Sequence, residues 1–142
     1  MDGDAVNRAS CEAFCRLSAM ANVPQHIEAY WMSFLDSQSS SMGSNERFYE
    51  SFQIGSDVED ADEGARLILC GKKTATSSLF WEYESSGKPL PKVGALSVVE
   101  NGAREPMCVV QTTWIEIIPF SEVDAKFAYE YGESDRTLVL QR

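Results

Sequence analysis

Two adjacent lysines, Lys72 and Lys73, meet four hydroxyl side chains, Thr74, Thr76, Ser77 and Ser78, in the stretch GKKTATSS that opens at Gly71. A threonine hydroxyl is a weak nucleophile until a base takes its proton. A lysine amine is that base only when neutral, and an unperturbed lysine, with a pKa of about 10.4, is almost wholly charged at pH 7. Burial or a second cation lowers the value by several units. Lys73 and Thr76 are therefore a candidate base and nucleophile, Lys72 a candidate second cation, and Thr74 a candidate for fixing the turn. The spacing sets a condition, because residues 73 and 76 of a regular strand face opposite sides. Lys73 reaches Thr76 only if the backbone bends, or if Lys73 still belongs to a turn after a helix, which Gly71 favours. The plain alternative is an exposed strand start, with solvated lysines and hydroxyls on a pleated surface.

The segment that follows, FWEYE, adds candidates for binding. Read as a continuing strand, it puts Trp81 and Tyr83 on one face and Glu82 and Glu84 on the other. Trp81 or Tyr83 could stack on a nucleobase, a contact worth roughly 1–3 kcal/mol, or could be core. Glu82 could accept from a cytosine amino group, or be solvated. Asp135-Arg136 suits a local salt bridge better than a phosphate anchor.

The elements around these residues follow from periodicity. From Pro24 to Asp36, Ile27, Tyr30, Trp31, Phe34 and Leu35 fall on one helical stripe; an aromatic stripe of this kind is a packing face. SQSSSMGSN (37–45) is a polar linker. FYESFQIG (48–55) alternates like a strand. Ser56 or Asp57 caps the next helix, whose first turns carry acids and whose apolar side is Ala65, Leu67, Ile68 and Leu69. Gly71 stands where a glycine ends such a helix.

SSGKPLPKVG (85–94) is loop chemistry, and ALSVVE (95–100) is a strand. Asn101-Gly102 signals a tight hairpin. PMCVVQTTWIEII (106–118) returns as a long strand that Pro119 stops. Ser121 caps a short helix in SEVDAKFAYEYG, and TLVL (137–140) reads as a last strand. Residues 1–22 fit either a helix in CEAFCRLSAMA or a mobile leader, ahead of one domain over 23–142. The order of elements predicts an α+β fold with a small, curled, mostly antiparallel sheet.

The totals exclude several classes. At 142 residues the chain has the size of one domain and needs no metal or disulfide to fold. The four cysteines are Cys11, Cys15, Cys70 and Cys108, and His26 is the single histidine. A zinc site wants about four such ligands in two clusters, so no metal or cofactor is expected. The net charge is −10, from 12 Lys+Arg against 22 Asp+Glu. That argues against broad nucleic-acid binding, though Lys72, Lys73, Lys88 and Lys92 could form a local basic cluster. No apolar run has membrane length. The start MDGDAVNRAS lacks the basic and apolar regions of a secretory signal, so a cytoplasmic location is expected.

The ordered set LCGKKTATSSLFWEYE, GKPLPKVGALSVVENG, PMCVVQTT and IIPFSEVDAKFAYEYGESDRTL resembles the ASCH domain family over roughly Trp31 to Leu138. The resemblance implies a PUA-like β-barrel with flanking helices. It also implies two kinds of function. Some members are proposed to bind or cleave RNA. Others are small amidohydrolases that remove the acetyl group of N4-acetylcytidine, and there Lys73 and Thr76 match the lysine and the nucleophilic threonine. A glutamate in the later short helix assists in those relatives. Here Tyr131 stands at its place, flanked by Glu130 and Glu133. Lys72, Thr74, Trp81, Glu82 and Arg136 are the substrate-binding candidates, for a modified nucleoside or RNA. Relatives continue past Leu138, so an open C-terminal edge could pair with a second copy.

Overall fold

The computed structural model describes residues 3–10, 23–38 and 45–133. A 3-10 turn, Gln25–Ile27, leads into helix α1, Glu28–Ser37, directly after Pro24. The predicted stripe is the buried face. Ile27 and Trp31 are fully buried against Leu96, Val98 and Val109, with Tyr30, Phe34, Leu35 and Phe48 around them. Trp31 stacks on Phe34 and meets Phe48 edge-on, at centroid distances of 5.5 and 5.1 Å. These aromatics are core.

Strand β2, Phe48–Gln53, is followed by helix α2, Val58–Leu69. Of the two predicted caps, Asp57 serves: its side chain accepts the Asp60 N–H at 2.8 Å, a contact typically worth about 1 kcal/mol. Gly64 lets α2 lie on the end of β2, since a Cβ there would come within 2.3 Å of Ile54. Gly71, at φ +82°, turns the chain out of the helix.

Strands β3 (Ala75–Leu79), β4 (Leu96–Glu100) and β5 (Pro106–Pro119) complete the sheet with β1, Gly3–Ser10. The order is β2-β4-β5-β1-β3. β2 and β4 run parallel, and the other pairs are antiparallel. The expected closed barrel is thus corrected: among the described residues the sheet is open, mixed and five-stranded, with β2 and β3 at its edges. Closure would require those two strands to pair. Instead the amide of Thr74, at the head of β3, donates to the Glu130 carbonyl at 2.7 Å. Glu130 belongs to helix α4, Ala125–Tyr131, whose Phe127 and Tyr131, with Val123 just ahead of the helix, pack on Ala75 of β3.

Several local expectations change as well. Residues 3–10, read as part of a mobile leader, form β1 between β5 and β3. The alternative helix in CEAFCRLSAMA (11–21), with Cys11 and Cys15, lies outside the described residues. So do Asp135, Arg136 and TLVL (137–140), and with them the C-terminal edge expected to pair a second copy. Phe80–Ser86 is helix α3, not a strand, so Trp81 and Tyr83 do not share a strand face.

The β4–β5 connection is a five-residue loop, not a two-residue turn. Arg104 N–H donates to the Asn101 carbonyl at 3.0 Å, and Arg104 itself takes the left-handed backbone, at φ +63°. Gly102 is needed for a different reason: its N–H donates to Asp62 of α2 at 2.7 Å, and a Cβ would meet the Val58 carbonyl oxygen at 2.5 Å. α4 is capped by Asp124, whose side chain accepts the Phe127 N–H at 2.8 Å, not by Ser121. Among the described residues no helix is long and apolar enough to cross a membrane.

Candidate active site

The end of α2 sets up the motif. The N–H groups of Lys72 and Lys73 both donate to the Leu67 carbonyl, at 3.0 and 3.1 Å. Lys73 therefore lies in the turn after the helix, and β3 starts only at Ala75. This meets the condition that the 73-to-76 spacing imposed. Gly132 closes the turn from the other side. It sits at φ +76° so near Lys72 that a Cβ would approach the Lys72 carbonyl oxygen to 2.3 Å.

Lys73 is 3% exposed, which rules out a solvated lysine at a strand start. Its Nζ donates to Glu133 Oε2 at 2.8 Å and to the Tyr131 carbonyl at 3.2 Å. It also stands 3.3 Å from the centre of the Tyr131 ring, a cation–π arrangement. Burial pushes the Lys73 amine below its ordinary value, and the Glu133 carboxylate opposes that without cancelling it. Burial beside Glu133 pushes the Tyr131 phenol up to about 12.

A cavity of about 500 Å³ adjoins this cluster, within the usual range of small-molecule sites. Lys73 and Thr74 enter its wall, followed by Ala75, Thr76, Ser77 and Ser78. The opposite edge of the sheet contributes Glu50, Phe52 and Gln53, and β4 contributes Ser97. Both edge strands face one space, so the sheet curls around it without closing. Phe52, Ile54, Ile68, Val110 and Ile115 make part of the lining apolar.

The other candidates divide. Thr76 is half-buried in the cavity wall with Lys73. Glu133 reaches Lys73, while Glu130 meets the motif through its carbonyl on Thr74. Tyr131 supplies a ring under the ammonium. Lys72 and Glu82 are exposed. Trp81 is 56% exposed, and Tyr83 of the same helix lines the cavity in its stead.

The four-lysine cluster does not form one exposed track: Lys73 is buried, and Lys88 is paired with Glu50. Sequence reasoning gave no role to Ser77, Glu50 or Ser97. Their only signal was a place on strands that turn out to border the same space.

The model of the ASCH domain family matches residues 50–141, and the chain belongs to that family. A solved ASCH domain from Lactobacillus crispatus JV V101 is 28% identical, superposes with a TM-score of 0.76, and is matched over 84% of this chain and 75% of its own. Protein EF3133 from Enterococcus faecalis V583 is 27% identical, with a TM-score of 0.65 over 78% of this chain and 66% of its own. Among curated proteins none matches the chain.

Proposed function

We propose that the cavity is an amidohydrolase site for a modified pyrimidine nucleoside of the N4-acetylcytidine kind. The observation that carries the reading is a buried lysine, its amine pushed toward the neutral form, in the same cavity wall as a half-buried threonine hydroxyl. In this reading neutral Lys73 takes the Thr76 proton as Thr76 Oγ attacks the acetyl carbonyl. The C–N4 bond then breaks, and protonated Lys73 returns its proton to the leaving amine, which departs as cytidine. Water hydrolyses the threonine ester to acetate. Glu133 orients the Lys73 amine, and Tyr131 screens it from solvent. An uncharged nucleoside brings no phosphate to an acidic protein.

The test is cytidine release from N4-acetylcytidine, followed by chromatography. Wild type should release cytidine, and Thr76→Ala and Lys73→Met should each lower the rate by at least about 100-fold. Full turnover in Thr76→Ala would overturn the assignment.

A second reading is RNA binding, which the association of PUA-like folds with RNA supports, together with the exposed Trp81 and Lys72. Binding through phosphates must weaken steeply with salt. Affinity for single-stranded RNA that is flat between 50 and about 200 mM salt would remove this reading.

A further inference from the structure

The cavity has a second polar pole, away from Lys73, on the other edge of the sheet. Glu50 of β2 and Ser97 of β4 are register partners, and both line the cavity. Ser97 is 4% exposed, and its hydroxyl makes no side-chain hydrogen bond to a described residue. Lys88 donates to Glu50 Oε1 and lies over the rings of Tyr49 and Tyr83, 5.1 and 5.6 Å from their centres. The ion pair fixes the direction of the carboxylate. It leaves Oε2 with no hydrogen bond to a described residue. Tyr83, in the same part of the wall, presents an aromatic surface beside this pole.

A carboxylate oxygen and a hydroxyl on neighbouring strands suit a ligand with two adjacent O–H groups. The carboxylate accepts from one or both, and the hydroxyl donates or accepts as required. Carboxylate acceptors give the stronger hydrogen bonds. A nucleoside has one such group, the vicinal 2′,3′-diol of its ribose, and a 2′-deoxynucleoside lacks it.

Resting on the amidohydrolase reading, we infer that Glu50 and Ser97 bind the ribose diol and make the site selective for ribonucleosides. Glu50 and Ser97 are specificity residues. They hold the sugar at one pole so that the modified base extends toward Lys73 and Thr76 at the other.

The experiment compares N4-acetylcytidine with N4-acetyl-2′-deoxycytidine as substrates, and cytidine with 2′-deoxycytidine in calorimetric binding. Proteins are wild type, Glu50→Gln and Ser97→Ala, each checked for native circular dichroism. Wild type should favour the ribo form about tenfold in KM and in Kd. Glu50→Gln should raise KM for the ribonucleoside about tenfold, with less than about threefold change in kcat, and lose most of the ribo preference. Ser97→Ala should do the same more weakly and serves as the second probe if Glu50→Gln misfolds.

Turnover without ribo preference, or with preference intact in folded Glu50→Gln, overturns this inference and leaves the amidohydrolase reading standing. Ribo-selective binding lost in Glu50→Gln, without any turnover, upholds the diol site and overturns the chemistry. Absence of both turnover of the acetylated substrates and binding of either nucleoside overturns both.

Discussion

Among the described residues two charged groups are buried, Glu100 and Lys73, and the fold treats them in opposite ways. Glu100, at the end of β4, is 1% exposed. His26 donates to it at 2.8 Å, Arg104 at 3.3 Å, and Ser51 through its hydroxyl. Burial would push this carboxyl up, but the Ser51, His26 and Arg104 contacts more than compensate, and its pKa lies below the ordinary value. Lys73 is buried almost as deeply, yet one carboxylate, one carbonyl and one ring do not restore its charge preference. A buried ion with its donors in place is a fastening. A buried ion held short of compensation, in a cavity wall, is a candidate for proton transfer.

The largest effect expected from breaking this contrast is on chemistry. Lys73→Met should abolish cytidine release while leaving stability unchanged or raised by about 1 kcal/mol, because an imperfectly compensated buried charge is exchanged for an apolar side chain and the Glu133 left behind is partly exposed to water. Parallel rate and denaturant measurements check both halves. Gly132→Ala should come next, costing about 2–3 kcal/mol. It would place a Cβ in a left-handed residue, against the Lys72 carbonyl, and should lower release as well.

Glu100→Gln should reverse the pattern of Lys73→Met. Stability should fall by about 1–3 kcal/mol, and release should persist in the folded variant. Loss of release at retained fold would show that the two clusters are not independent.

The smallest and most diagnostic effects are in pH dependence. The folded pKa of Glu100 is lowered, so its stabilisation is present above the ordinary value of 4.5 and is lost as pH falls through the folded value. The stability gap between wild type and Glu100→Gln should therefore narrow in acid. The folded pKa of Lys73 is lowered too. Between that pKa and the ordinary 10.5 the unfolded chain holds more protons, so the Lys73 contribution to stability improves as pH rises. Wild type should gain on Lys73→Met through that window in urea titrations.

What the sequence disclosed follows the range of each interaction. The α1 stripe, the Asp57 cap and Gly71 are local signals, and each produced the expected element. The turn position of Lys73 was also legible, because Gly71 after a helix leaves few other geometries. FWEYE misled because alternation over four residues resembles one turn of helix, and α3 is only seven residues long. GDAVNRAS carries little strand preference of its own, and becomes β1 by pairing on both sides. The parallel β2–β4 pairing, which brings Glu50 beside Ser97, has no local signature. Nor does the His26–Glu100 contact, across 74 residues. The choice of Glu133 at Lys73 depended on how Gly132 turns the chain against Lys72.

The central claim is that Lys73 is held toward its neutral form in the cavity wall. The most direct test is an NMR titration of the protein with carbon-13 at lysine Cε, assigned by comparison with Lys73→Met. One lysine should titrate clearly below the rest, vanish in that variant, and fall further in Glu133→Gln, where the opposing carboxylate is gone. A Lys73 resonance that titrates with or above the exposed lysines would contradict the account.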